Sequence, residues 1–268
     1  MAGISNYLAD SINDWLHGGG TSFTPPSTTY FALMTILPVA AGGGTECSGG
    51  SYARVGYTNS SGNWPASVNA TKESGAAINW GTLTASLGMV AGVAEYDAST
   101  GGNLLTFAPF TSGPIFIGAG SPFSISVDGG VYTEGLNISI YLANKLNDWL
   151  HGGGAYSVPS TTYFAFMLTN PAPSGSGGLE ASGGNYARVA FANNSTNWPA
   201  SSGQLKTNAV AINFGTMTSS LGTGNGIAEY DALTGGNLLT FGPLSPAVTV
   251  NAGQPFQIPP NGAVYQPS

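Results

Sequence analysis

The chain has 268 residues, with 5 Lys+Arg against 12 Asp+Glu, a formal charge of −7 and only 6% charged residues. Five scattered basic residues make no electrostatic footprint for nucleic acid, and the single cysteine, Cys47, excludes an intrachain disulfide or a multi-cysteine zinc cage. Despite 41 glycines and 17 prolines, a content of 42% apolar and 11% aromatic residues is enough to build packed cores rather than a disordered chain.

The first residues, Met1 to Asn6, lack the basic and apolar regions of a signal peptide. Ile4, Tyr7, Leu8, Ile12, Trp15 and Leu16 then form one apolar stripe at the helical period. Ser5 is placed to cap this helix and Gly18 to end it, and the stripe is expected to cover an open face of a sheet. Short β-branched or aromatic runs follow at Tyr30 to Thr35, Tyr52 to Asn59, Ala76 to Thr82, Met89 to Tyr96, Asn103 to Phe107 and Phe123 to Val127. Gly, Pro and Asn clusters bound them, which reads as strands. The most apolar stretch, Tyr30 to Ala41, contains Pro38 and falls short of the roughly 20 residues that span a bilayer. Asp97 to Asn103 reads as a hairpin loop.

The whole pattern then repeats. Tyr7-Leu8-Ala9 returns at Tyr141, half a chain later, and Asn13 to Gly20 returns as Asn147 to Gly154. Tyr52-Ala53-Arg54-Val55 returns at Tyr186, Trp64-Pro65-Ala66 at Trp198, and Glu95-Tyr96-Asp97-Ala98 at Glu229. Internal duplication with this long a period implies two domains rather than a solenoid. The expected fold is mainly β: two tandem antiparallel β-sandwich or partly open barrel domains, 1–134 and 135–268, each opened by an N-terminal amphipathic α-helix. The join falls near Tyr132 to Asn137.

Few motifs invite chemistry. His17-Gly18-Gly19-Gly20 and its copy at His151 resemble an esterase oxyanion loop, but the preceding strand and the Gly-x-Ser-x-Gly elbow are missing. The expectation is instead that the His meets the last helical carbonyls. Glu95 and Asp97, copied as Glu229 and Asp231, lie two apart on a strand and are expected on one face. Such a pair suits glycoside hydrolysis only at separations of roughly 5–9.5 Å in an open cleft. A structural reading places Asp97 as an acceptor in the turn and pairs Glu95 with Arg54, whose copy is Arg188. No EF-hand spacing points to calcium. Trp64 and Trp198 could stack on sugars if exposed, and are otherwise packing residues. Cys47, beside Glu46, has no neighbour to lower its pKa. No catalytic residue, metal site or cofactor is therefore expected.

As an ordered set these segments are specific. Tyr7-Leu8-Ala9 with Asp14-Trp15-Leu16 is followed by Ser27 to Leu33, Ser48 to Val55, Asn63 to Ala66 and Tyr96 to Leu105. The set resembles a family of small tailed-phage virion proteins, labelled tail-fibre-like or head-decoration-like, and each half matches nearly end to end. The resemblance implies a β-rich, non-enzymatic structural protein made in the host cytoplasm and carried on the virion. Two similar units per chain suit a shell with threefold or quasi-sixfold positions, and no heptad shaft is present. The leading expectation is thus a capsid decoration (cement) protein on the head surface. Its partners would be the major capsid protein and copies of itself, as a trimer or other homo-oligomer, with no nucleic acid and no membrane. The alternative is a tail or neck-fibre adhesin that binds host glycans through exposed Trp or Tyr platforms.

Overall fold

The computed structural model describes residues 3–20, 23–133 and 137–266, so the centre of the expected join, 134–136, lies outside the described residues. Helix α1 spans Asn6–His17 and helix α2 spans Ile140–Leu150. Each starts on a serine in extended conformation whose hydroxyl accepts an N–H from the first turn. These bonds are Leu8 to Ser5, 3.1 Å, and Leu142 to Ser139, 3.0 Å. Gly18 leaves the first helix at φ 76°, which costs a glycine little. No helix among the described residues is long and apolar enough to cross a membrane.

All other regular structure is antiparallel strand, and no sheet among the described residues closes into a barrel. The main sheet of the first repeat runs Gly3–Ile4, Leu104–Pro109, Gly92–Tyr96, Thr28–Ile36, Thr45–Glu46, and Val55–Thr58 also pairs with Thr28–Ile36. Three two-stranded ladders lie beside it: Gly88–Val90 with Ile115–Ile117, Ile78–Thr82 with Pro122–Ile125, and Thr71–Glu73 with Val131–Thr133. The second repeat is built the same way around Thr161–Thr169. There Gly222–Tyr230 and Leu238–Val250 each run unbroken through the segment that is split in the first repeat. The expected single strand Met89 to Tyr96 is thus two strands in the first copy, parted at Ala91.

The strand Thr28–Ile36 is buried on both faces, and its alternation separates two cores. Phe31 and Leu33 point to the ladders, where they meet Trp64, Ile78, Leu83 and Val90; Ala32 and Met34 point the other way, to Ala94 and Leu104. Trp64 and Trp198 have 0% of their surface exposed.

The helices cross between repeats. Each begins on its own repeat: the Ser5 N–H donates to Leu105 O at 2.9 Å and the Ser139 N–H to Leu239 O at 2.9 Å. Leu8 and Ile12 of α1 pack on Leu146 and Leu150 of α2, and Trp15 stacks on Trp149 with ring centroids 4.0 Å apart. Beyond that contact, α1 ends on the second repeat and α2 on the first. The apolar stripe thus covers a sheet as expected, with Leu8 and Ile12 against Leu105, and it also joins the two helices, while the polar face beside it reaches the other copy.

Candidate functional site

Two pseudo-equivalent junctions result, and each holds a buried lysine, its aspartate and a histidine–glutamate pair. On α1, Asp10, Asn13, Asp14 and His17 share one face by helical spacing. That face meets the loop Ser201 to Lys206. Asp14 Oδ1 accepts the Ser201 N–H at 2.7 Å and Lys206 Nζ at 2.6 Å, while Lys206 also donates to Gly18 O. Asp10 Oδ1 accepts the Gln204 N–H at 2.8 Å, and Asn13 Nδ2 donates to Gln204 O at 3.0 Å. On α2, Asp148 Oδ1 accepts the Ser67 N–H and Lys72 Nζ, both at 2.7 Å. Asn144 Oδ1 accepts the Ala70 N–H at 2.8 Å, and Asn147 Nδ2 donates to Ala70 O at 3.0 Å. Both lysines are buried, so their carboxylate partners are what make ammonium groups tolerable there. Burial draws the Lys206 pKa down, and the bond to Asp14 opposes that fall.

Each helix then delivers a histidine to a buried glutamate of the other repeat. His151 Nε2 lies 3.1 and 3.3 Å from the two oxygens of Glu95, which also accepts Thr106 Oγ1 at 2.9 Å and Tyr132 OH at 2.8 Å. His17 Nε2 lies 3.4 Å from Glu229 Oε2, which accepts Thr240 Oγ1 at 2.7 Å and Tyr265 OH at 3.1 Å. Burial alone would raise both carboxyl pKa values. The facing imidazoles and hydroxyl donors outweigh it and hold them below the ordinary range. Burial, and then the charge of the neighbouring glutamate, pushes the Tyr132 and Tyr265 phenols far up.

The triple glycines serve this docking. A Cβ on Gly19 would overlap the Trp198 carbonyl oxygen, and one on Gly152 would sit 2.8 Å from that of Trp64. His17 packs between Trp198 and Tyr265, with ring centroids at 4.6 and 4.1 Å, and His151 lies likewise beside Trp64 and Tyr132. The expectation that the histidines serve the last helical carbonyls is therefore replaced. They pack against the tryptophan of the opposite repeat's Trp-Pro loop and face its glutamate.

Two further expectations change. Glu95 pairs with His151, not Arg54. Arg54 instead forks onto Glu46 (2.8 Å from Nη2), donates to Ala98 O and Gly101 O at 2.9 and 2.8 Å, and covers the Tyr96 ring at 3.7 Å. Arg188 repeats this with Glu180, Ala232, Gly235 and Tyr230. Glu95 and Asp97 are not two positions of one strand, because the strands end at Tyr96 and Tyr230 and leave Asp97 and Asp231 in the turns that follow. Glu95 turns inward and Asp97 accepts the Asn103 N–H at 2.7 Å in the turn; Asp231 accepts that of Asn237 at 2.6 Å. Among the described residues the buried glutamates thus face an imidazole and hydroxyls rather than a second carboxylate. Among the described residues no cluster of His, Cys, Asp or Glu is arranged to hold a metal. Burial and the adjacent Glu46 push the Cys47 thiol to about 11, so it is a poor nucleophile at neutral pH.

Sequence reasoning missed Lys72, Lys206, Asp14, Asp148, Asn13 and Asn147. A signal was available: Asn13 and His17 continue the buried edge marked by Ala9, and polar residues on the buried side of a helix announce a polar partner.

A family model described as podophage GP4 fiber I protein gp80 matches the chain twice, over residues 3–129 and 137–266. No curated protein matches it. The chain belongs to that family of phage fibre proteins and is a structural component of a phage particle.

Proposed function

We propose that the chain is a fibre subunit whose work is to hold other virion proteins, with no substrate turned over. The observation that carries this reading is a difference between the outer faces of the repeats. Phe116 and Met89 oppose each other across the ladder Gly88–Val90/Ile115–Ile117 and are 66% and 54% exposed; Ile36, at the end of the neighbouring strand, is 62% exposed. The second repeat places Thr249, Thr223 and Thr169 at the matching positions, with the first two hydroxyls bonded to each other at 2.7 Å. Exposed Met89 and Phe116 in one copy and threonines in the other fit a partner contact at this ladder of the first repeat; at the sheet edge the copies only exchange roles, Ile36 facing Thr45 and Thr169 facing the exposed Leu179. The partner is a virion subunit with an apolar, weakly charged face, since four of the five basic side chains here are already engaged in ion pairs within the chain.

Glycan recognition at the fibre is less well supported, because Trp64 and Trp198, the expected platforms, are core residues. The cement reading keeps one supporting observation: two repeats interlocked through crossed helices make a closed module instead of a shaft. In that reading the partners are the major capsid protein and further copies of the chain.

The test is to replace Met89 and Phe116 together by Ser in the phage and to count copies per particle by gel densitometry, with gold-labelled antibody to locate them. The fibre reading expects a dozen or fewer copies at the tail or neck, lost in the double variant. Hundreds of copies over the head would establish the cement reading, and unchanged incorporation of the variant would remove the first-repeat contact.

A further inference from the structure

The two junctions read their helices through the same contacts, and several of those fall on the receiving main chain. Asp14 Oδ1 accepts the Ser201 N–H and Asp148 Oδ1 the Ser67 N–H, both at 2.7 Å, each with a buried lysine as a further donor. Asp10 Oδ1 accepts the Gln204 N–H and Ser201 Oγ, and Asn144 Oδ1 accepts the Ala70 N–H and Ser67 Oγ. Asn13 and Asn147 donate to the carbonyls of Gln204 and Ala70, each at 3.0 Å. Gln204 and Ala70 hold the same left-handed backbone, φ 71° and 65°, which residues with a side chain seldom adopt. The loops differ in every side chain from 68 to 71 against 202 to 205, yet they offer the helix the same N–H and C=O groups.

Discrimination between similar partners needs a clash, an unpaired charge or a stranded polar group against the wrong one. Among the described contacts neither junction carries such an element. The one exchange of charge among these helix residues is Asp10 for Asn144, and both present an oxygen to the same pair of donors. The crossing point is self-complementary as well: Trp15 stacks on its own copy, Trp149, as a residue does on a twofold axis. Two identical repeats would meet there as the two unlike ones do.

We propose that each repeat also accepts the helix of a like repeat, so that the docking surface of the first repeat fits the first repeat of a second copy of this chain. Each copy of α1 then places Asp14 and His17 against Lys72 and Glu95 of the other chain, and the second repeats pair in the same manner. The contacts are those of the closed chain, so the connection between the repeats decides the outcome. For two units joined by a short connection, closure within the chain competes at an effective concentration of order 1 mM. This surface is separate from the exposed ladder of Met89 and Phe116, and the pairing does not depend on where the chain sits in the particle.

The test uses single-cysteine forms of the full chain in a Cys47→Ala background. Trp15→Cys chains are unfolded in urea, refolded together at about 1 mM or about 10 μM, and treated with a bismaleimide. The linker is one that joins positions 15 and 149 within the dilute Trp15→Cys/Trp149→Cys chain. Position 15 faces position 149 in the closed chain, so a covalent dimer of Trp15→Cys chains reports like-with-like pairing. The dimer should be a major product at the higher concentration and at least tenfold scarcer at the lower, and Trp149→Cys should behave alike. Ser112→Cys, in an exposed turn outside the junctions, should give at least tenfold less dimer. Because loss of a stacked tryptophan could weaken folding, unsubstituted chains of light and heavy isotope composition are refolded together as well. Native mass spectrometry should then show a dimer of mixed mass at about 1 mM. Trp15→Cys dimer no higher than that of Ser112→Cys, or no mixed-mass dimer, would overturn the proposal. So would a dimer that forms only between Trp15→Cys and Trp149→Cys chains, since the repeats would then keep unlike partners.

Discussion

The junction of α2 with the first repeat and that of α1 with the second are assembled from the same residues in the same roles, yet they are not equally tight. In the first, His151 engages both Glu95 oxygens, while Asp148, the partner of Lys72, keeps 30% of its side chain exposed. In the second, His17 reaches one oxygen at 3.4 Å, while Asp14, the partner of Lys206, is only 10% exposed. The looser histidine pair therefore sits beside the more deeply buried lysine pair. The interface is self-complementary: each repeat donates a helix and receives one, which is the logic of a twofold dimer written into a single chain.

That comparison can be broken first at the lysines. Removing one partner of a buried pair leaves an uncompensated charge, a loss of about 3–5 kcal/mol when water is excluded. Lys206→Ala should approach this range in urea unfolding. Lys72→Ala should cost clearly less, because water reaches Asp148. Equal losses would mean that the difference in burial does not matter to the pairs.

Acid sharpens the same contrast. Both buried glutamates have folded pKa values below the ordinary one, so the unfolded chain takes up their protons first as pH falls. Their stabilisation is complete above the unfolded carboxyl value of about 4.3 and disappears as pH drops through the folded value. Wild-type stability should thus decline in the acid range below about pH 5, and Glu95→Gln with Glu229→Gln together should flatten that decline. A profile unchanged by both substitutions would show that the His–Glu pairs carry no acid sensitivity.

The smaller effects test the equivalence of the helices. Ser5→Ala and Ser139→Ala each remove an N-cap and should cost about 1 kcal/mol, with little difference between them. Where the two helices touch, a double-mutant cycle on Trp15 and Trp149 should return a coupling of about 0.5–1.5 kcal/mol for the stacked pair. No coupling would place the two helices apart in solution.

Much of the local structure was legible in the residues. The stripe from Ile4 to Leu16 and the Ser5 cap gave α1 nearly to its ends, and Tyr30 to Thr35 marked the centre of Thr28–Ile36. The short ladders at Thr71–Glu73 and Ile115–Ile117 were not legible, since three residues carry too little alternation to stand out. The destination of the helices was hidden for a different reason. Periodicity says that a face is buried, but two near-identical repeats offer it two near-identical acceptors, and only the connection decides between them. Scarcity of basic residues points Arg54 to Glu95; the arrival of His151 from the other repeat and the fork of Arg54 on Glu46 settle the pairing otherwise.

The crossing of the helices is the central claim, and hydrogen exchange after breaking α1 tests it most directly. Ser11→Pro places a proline in the helix interior, which costs about 3 kcal/mol or more in a helix. Exchange measured by mass spectrometry should then speed up in the second repeat, at Ser201 to Thr207 and Gly226 to Tyr230, while Thr28–Ile36 of the first repeat retains its protection. Loss of protection confined to the first repeat would mean that α1 does not dock on the second, and the account would be wrong.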